Sequence, residues 1–230
     1  MTADDEPSDA CSPTVPVLPP LTEQAERLIA TGVLDGDDSK LTGDELRDVA
    51  ADLAHRAAAG ALLVVSDHAL PVRILVPQLT RAYDGQEKPG FIVVDMDDVA
   101  DFVPTVEAPV PDAVIYAIDD PRRGDDMRNW TPAEAQEALC RDERTPFTIG
   151  EGVHWALQLH EVIDRNACYM MIGSRRPKTK GFDSRTPALW ISNGTGRDGR
   201  DRRGAPKLGW CWWNNRHTWL GFASGARRVS

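Results

Sequence analysis

Capped segments and short apolar runs follow one another along the chain, and they predict helices and strands respectively. The capping box Thr-x-x-Glu is typical of helix starts, because the threonine accepts first-turn N–H groups and the glutamate reaches back. It occurs three times, at Thr42–Glu45, Thr131–Glu134 and Thr148–Glu151. These boxes predict helices over 43–59, 132–140 and 149–164. Thr22 predicts a further helix that runs to about Thr31 and ends at Gly32.

Short apolar runs predict strands that are buried on both faces. In the N-terminal part they cover 61–65, 91–94 and 113–118. The C-terminal third predicts an antiparallel meander with strands at 168–172, 188–192, 208–213 and 218–223. Segment 193–204, rich in glycine, aspartate and arginine, predicts a flexible basic loop. We therefore expect an α+β fold, with N-terminal helices and short buried strands and a C-terminal antiparallel sheet of about four strands with an aromatic hairpin.

The domain organisation follows from composition. Residues 1–20 are acidic and proline-rich, which predicts a disordered tail. The remaining 21–230 is expected to form a single globular domain, because 230 residues with 41% apolar content suffice for one core. Within it, 21–140 is an acidic part of helices and strands, and 141–230 is a basic part rich in tryptophan.

The predicted hairpin lies in 207–221, which holds four of the seven tryptophans. Strand alternation puts Leu208, Trp210 and Trp212 on one face, which we expect to be core. Trp213 lies on the other face, at a turn formed by 214–217, and is the better candidate to line a site. The alternative is that cross-strand aromatic packing, about 0.5–1 kcal/mol per pair, explains the whole motif.

Charge is distributed unevenly around a net value of −10. Residues 165–230 hold 14 Lys and Arg against 3 Asp and Glu, a balance of +11. Residues 1–164 hold the other 12 against 33, a balance of −21. Such a split is typical of an anion-binding face on the C-terminal half. The alternative is that the two halves pair with each other, or that the charges only keep the protein soluble.

We favour a protein that binds an anionic small molecule or a partner through its C-terminal sheet. The candidate ligand-binding residues are cationic and aromatic side chains of that region, namely Arg175, Arg176, Lys207, Trp213, Arg216 and His217. Adjacent arginines can bind phosphate or carboxylate bidentately, so a phosphate-bearing molecule or a short nucleic-acid segment fits the same chemistry.

Two other classes of function remain as alternatives. The first is an enzyme acting on an anionic substrate at the same pocket, with His217 as acid or base and Arg175 orienting the substrate. Cys211 could form a thiolate–imidazole pair with His217, although a mid-strand cysteine is more often a small buried hydrophobe. The second is a structural protein–protein interaction module that uses the acidic tail or the 193–204 loop.

The sequence lacks the motifs of several common catalytic and nucleotide-binding sites. It has no glycine-rich phosphate loop, no dinucleotide fingerprint after a strand and no Gly-x-Ser-x-Gly elbow. We expect no metal, because no histidine lies close to the strand-end Asp119 and Asp120, and Asp164 stands where a His-Glu-x-x-His helix needs its second histidine. No cofactor is expected either.

The sequence also predicts a cytoplasmic protein. No apolar run reaches the roughly 18 residues of a membrane helix, so no membrane partner is expected. The acidic start Met1–Glu6 does not resemble a secretory signal. Four scattered cysteines without a Cys-x-x-Cys pair fit a reducing compartment.

Four motifs resemble the signatures of an actinobacterial family of uncharacterised proteins. They are Arg-Thr-Pro-Phe-Thr-Ile-Gly-Glu-Gly at 144–152, Gly-Ser-Arg-Arg at 173–176, Pro-Ala-Leu-Trp-Ile-Ser at 187–192, and Pro-Lys-Leu-Gly-Trp-Cys-Trp…His-Thr-Trp-Leu-Gly within 206–221. The resemblance is good over 140–228 and weaker over 21–130. Segments 177–186 and 193–204 and the acidic tail are additions to the family pattern. The resemblance implies no activity and no site residues.

Overall fold

The computed structural model describes residues 17–36 and 39–230, so most of the predicted tail lies outside the described residues. The helices of the described part are α1 (Leu21–Ala30), α2 (Gly43–Leu53), α3 (Val72–Leu75), α4 (Pro132–Arg141) and α5 (Ile149–Gln158). The three predicted capping boxes are confirmed at α2, α4 and α5, each with both reciprocal hydrogen bonds. Across the described ranges, no helix has the length and apolar character needed to cross a lipid bilayer.

Two helices end earlier than the sequence predicts. α2 ends at Leu53 instead of 59, and i→i+3 turns follow before Gly60, whose φ is 77°. α5 ends at Gln158 instead of 164, because Leu159 adopts the extended angles φ −137° and ψ 101°. At α1 the residue in the N-cap position is Pro20, which offers no side-chain cap, rather than Thr22.

The strands are short. They are β1 (Leu62–Val65), β2 (Thr80–Tyr83), β3 (Gln86–Pro89), β4 (Phe91–Ile92), β5 (Val103–Pro104), β6 (Ile115–Asp119), β7 (Thr145–Pro146), β8 (Cys168–Met170), β9 (Ser174–Arg175), β10 (Arg185–Ile191), β11 (Pro206–Trp212), β12 (Leu220–Phe222), β13 (Ser224–Gly225) and β14 (Arg227–Val229). An antiparallel sheet has the order β1-β6-β14, and a mixed five-stranded sheet has the order β12-β8-β10-β11-β4. The α+β class is confirmed.

The hairpin expected across 214–217 is not formed. β11 pairs instead with β10 over its whole length, from Trp212 opposite Arg185 to Pro206 opposite Ile191. The 193–204 loop makes this long register possible because it joins the two strands directly. β12 lies at the far edge of the sheet, parallel to β8. Residues 214–217 therefore belong to a connection that crosses the end of the sheet.

Alternating side chains of the five-stranded sheet divide between two apolar cores. Tyr169 and Leu208 belong to a large core with α1, α2, α5 and the three-stranded sheet. Cys168, Met170 and Cys211 belong to a smaller core that also contains apolar residues of α4. The sheet therefore has apolar packing on both faces.

The tryptophans follow the predicted alternation only in part. Trp210 packs against the large core, but Trp212 is 47% exposed and touches Trp210 edge-on, with ring centroids 4.6 Å apart. The core assignment of Trp212 was therefore wrong, because it is the last residue of β11 and lies beyond the core packing. Trp213 is half-buried against the smaller core.

Cationic residues of the C-terminal half pair with acidic residues of the N-terminal half. Pairs of this kind include Arg176–Asp98, Arg185–Asp98, Arg216–Glu134, Arg227–Asp119 and Arg228–Glu151. Much of the charge split thus serves internal pairing, which is the alternative that the sequence left open.

Candidate functional site

A cleft of ≈ 850 Å³ opens where the end of β1, the start of α5 and the 99–114 segment meet, and we call it the Asp67 cleft. Its walls are mainly apolar and come from prolines, valines and Phe102 within 71–72 and 99–114. The polar side chains that line it include Asp67, His68, Arg73, Asp112, Tyr116 and Thr148. A concave, largely apolar space with a few polar groups is typical of a small-molecule site.

Asp67 lies at the turn that follows β1. The N–H of Ser66 bonds to the carbonyl of Val114, and the carbonyl of Ser66 accepts two further N–H groups, so the turn is tightly held. Asp67 is an exposed residue on the side that opens to the cleft, while protein atoms pack around the inner side of its carboxyl. It makes no hydrogen bond or ion pair with any other residue of the described chain, and it therefore faces the cavity without a partner.

The first turn of α5 fixes the other side of the carboxyl. Thr148 caps the helix, and Ser174 accepts the N–H of Ile149 through its hydroxyl. Gly150 lies directly against Asp67, and a Cβ at Gly150 would overlap its Oδ1. Glycine at this position therefore allows α5 to approach the carboxyl.

A buried polar network lies behind the cleft. Glu151 is fully buried, and its Oε1 is 2.6 Å from Nε of Arg228. Tyr116 donates its hydroxyl to the same oxygen at 3.0 Å, and Thr148 donates its N–H to the other oxygen at 2.7 Å. Both carboxylate oxygens of Glu151 thus have hydrogen-bond partners, and α5 is held to β6 and β14.

The environment of Asp67 favours its neutral form. Burial raises the pKa of Asp67 to about 7, and the negative charge of Glu151 adds to the rise. The positive end of the α5 dipole opposes it, because a helix amino terminus favours a carboxylate. A carboxyl that titrates near neutrality in a cleft is a recognised mark of a functional site.

Of the residues predicted from the sequence, Arg175 and Trp213 meet. The guanidinium carbon of Arg175 is 3.8 Å from the centroid of the Trp213 ring and 5.3 Å from that of Phe182. Burial lowers the pKa of Arg175 to about 10. Arg175 lies in β9, opposite Val103 of β5. Val103 lines the Asp67 cleft, but Arg175 does not.

The other four predicted contact residues lie apart from this pair. Arg176 contacts Asp98 and Asp101, while Lys207 contacts Asp198 and the Trp190 ring. Arg216 pairs with Glu134 at 2.6 Å, and His217 packs against Trp219 with ring centroids 5.4 Å apart. The six side chains thus surround no common pocket.

The thiolate–imidazole pair finds no support in the geometry. Cys211 is buried in the smaller core, and burial raises the pKa of its thiol to about 12. Burial also lowers the pKa of His217, and no hydrogen bond joins the two side chains. A protonated, buried thiol is a poor nucleophile.

The strand-end aspartates are engaged by cations. Asp119 pairs with Arg227, and Asp120 pairs with Arg122 and Arg144. Over 17–36 and 39–230, no group of three or more His, Cys, Asp or Glu side chains is arranged to hold a metal ion.

Sequence reasoning missed the Asp67 cleft, although one signal pointed to it. Asp67 follows β1 within two residues, just as Asp119 and Asp120 lie at the end of β6, and a carboxylate at a strand end is a sequence signal for a polar site. What the sequence could not show is that Gly150 would lie against this carboxyl and that the proline-rich 104–111 segment would line the same cleft.

Comparison with known proteins gives one match. A model described as a family of unknown function, DUF5701, matches residues 27–230. No curated protein and no solved structure matches the chain.

Proposed function

Because the chain belongs to this family of unknown function, we propose a function from its own residues: it binds a small molecule with an apolar body and a protonated amine in the Asp67 cleft. The observation that carries the proposal is the unpartnered carboxyl of Asp67 facing that cavity. A carboxylate that faces a largely apolar cleft without a partner is stabilised by a cation or by hydrogen-bond donors, and a ligand amine supplies both.

Apolar surface in the cleft supports the apolar body. Val103 and Val114 line the cleft and remain 44% and 49% exposed. Covering such surface stabilises a complex by about 25 cal/mol per Å² before the costs of association. The volume of ≈ 850 Å³ lies within the range of roughly 300–1,000 Å³ that is typical of small-molecule sites.

The charge around Asp67 supports a cationic head rather than an anionic one. Asp112 also lines the cleft, and Glu151 raises the pKa of Asp67 from behind. The carboxylates of Asp67 and Asp112 attract a cation, and burial, the larger cause of the raised pKa of Asp67, disfavours leaving that carboxylate without one. Arg73 and His68 also line the cleft and are available to a second polar group of the ligand.

The test uses 2-phenylethylamine and its neutral counterpart 2-phenylethanol, measured by isothermal titration calorimetry at about pH 8, where Asp67 is ionised. We expect the amine to bind more tightly than the alcohol, and Asp67→Asn to weaken the amine about tenfold or more while changing the alcohol little.

Asp48→Asn is the matched control, because Asp48 is an exposed carboxylate of α2 outside the cleft. It removes the same charge and should leave both affinities unchanged. Equal binding of amine and alcohol, or an equal loss in the two variants, would refute the amine site.

An enzyme is a second candidate, and the pKa of Asp67 favours it. General bases work best when their pKa lies near the operating pH, and that of Asp67 is about 7. In this alternative Asp67, rather than His217, exchanges the proton with a substrate in the same cleft. Chemical conversion of the bound compound distinguishes an enzyme from a binding protein.

A further inference from the structure

A second concavity, of ≈ 430 Å³, lies at the opposite end of the β10–β11 hairpin from Trp212. Three arginines line it, namely Arg165, Arg200 and Arg203, together with the 193–195 segment. We call it the three-arginine pocket. It shares no lining residue with the Asp67 cleft.

The loop that carries Arg200 and Arg203 is held at its base. Ser192 and Gly204 are joined by a backbone hydrogen bond of 2.9 Å, and the Ser192 hydroxyl donates to Asp198 at 2.8 Å. Gly194 has a φ of 69°, and a Cβ there would overlap the Cβ of Arg203. The base of the Arg203 side chain is thereby packed against the 193–195 segment.

Arg165 reaches the pocket from a different part of the chain. It lies in a tight turn between Asp164 and Ala167, whose backbones form two hydrogen bonds of 2.9 and 3.1 Å. The pocket is therefore assembled from two segments, so a variant on either segment tests it independently.

The acidic residues close to the pocket in sequence are paired elsewhere or do not line it. Asp164 pairs with Arg81 at 2.6 Å, and Asp198 pairs with Lys207 at 2.8 Å. Asp201 follows Arg200 in the chain but does not line the pocket. Within the described residues, the three guanidinium groups form no ion pair and no hydrogen bond, whereas most other arginines of the C-terminal half are paired.

We infer that the three-arginine pocket binds a phosphate group, either as free phosphate or as the phosphate ester of a small molecule. Each guanidinium offers a planar pair of N–H donors that can bind two oxygens of a phosphate. Three such groups supply more donors than the two oxygens of a carboxylate can use, so the pocket fits a phosphate better. Thr195 also lines the pocket, and a threonine hydroxyl is a neutral donor for a phosphate oxygen. This inference does not depend on the amine site.

Calorimetry with phenyl phosphate and inorganic phosphate at about pH 7.5 and low salt tests the inference. We expect the native protein to bind phenyl phosphate, and both Arg165→Gln and Arg203→Gln to weaken binding about tenfold or more. Arg197→Gln is the matched control, because Arg197 belongs to the same loop, is 76% exposed, contacts Asp95 and does not line the pocket. It should change the affinity less than about twofold.

Each outcome bears on the proposal. Tighter binding of phenyl phosphate than of inorganic phosphate assigns the pocket to a phosphate ester, and equal binding assigns it to free phosphate; both support a phosphate site. No binding by the native protein, or an equal loss in Arg197→Gln, overturns it. Binding of a thymidine decamer with a steep salt dependence, without binding of phenyl phosphate, also overturns it, because that pattern indicates a nucleic-acid surface.

The variants must remain folded for this comparison. Glutamine keeps much of the side-chain stem, and the melting temperatures of all three variants should lie within a few degrees of the native value. If Arg203→Gln unfolds, Arg165→Gln alone decides the result, because it lies outside the loop.

Discussion

Asp67 differs from the ion-paired carboxyls of the described chain in what surrounds it. Asp98, for example, is hydrogen-bonded by Arg185, which holds the pKa of that carboxyl below its usual value. Asp67 has no such cation, and burial raises its pKa to about 7. A missing partner at one residue, beside a cavity, is what distinguishes a binding group from a structural ion pair.

This environment predicts a pH-dependent stability. The unfolded chain releases the Asp67 proton near the ordinary pKa of 3.8, whereas the folded protein keeps it until about 7. The Asp67 contribution to the free energy of unfolding therefore falls as the pH rises from about 4 to about 7. Asp67→Asn should be as stable as the native protein near pH 4. At pH 8 it should be more stable by about 1 kcal/mol, because solvent on the open side of the carboxyl reduces the full energy of the pKa shift.

Urea unfolding at both pH values measures this difference. The Asp48→Asn variant corrects for the general effect of removing one charge. A stability difference between native protein and Asp67→Asn that is the same at the two pH values would contradict the raised pKa.

At the scale of elements, the starts of three helices were predictable from the sequence, whereas the start of α1, the short α3 and the strand partners were not. The capping boxes join residues three positions apart, so the starts of α2, α4 and α5 follow from local contacts. Strand pairing depends on residues far apart in the chain. β11 pairs with β10, to which the 193–204 loop connects it, and the tryptophan pattern at 207–221 does not indicate that pairing.

The start of α5 gives a prediction of its own. Gly150→Ala adds a Cβ that overlaps Oδ1 of Asp67, so the carboxyl or the helix must shift. We expect the affinity for 2-phenylethylamine to fall about tenfold, as measured by calorimetry. Gly43→Ala is the control, because Gly43 begins α2 and a Cβ there meets its nearest neighbour, Ile29, at 3.5 Å. Native affinity in Gly150→Ala would show that α5 does not fix the carboxyl.

At the scale of the whole molecule, the Asp67 cleft exists only after distant segments meet. Its walls come from the end of β1, the 99–114 segment and the start of α5. The sequence predicted β1 and α5 separately, but nothing in their patterns indicates that they share a cavity. The charge split is visible in the sequence and by itself predicts an anion site on the sheet. The internal pairing of residues such as Arg185 and Arg228 becomes apparent only in the fold.

The most direct measurement of the central claim is a carbon NMR titration of the Asp67 carboxyl, in protein labelled at aspartate and assigned with Asp67→Asn. In the free protein the carboxyl should titrate near pH 7, as its pKa of about 7 requires. Saturating 2-phenylethylamine should lower that pKa by about one unit or more, because a bound ammonium favours the carboxylate. A pKa near 4 in the free protein, or one that the amine leaves unchanged, would contradict a cation-binding carboxyl in the cleft.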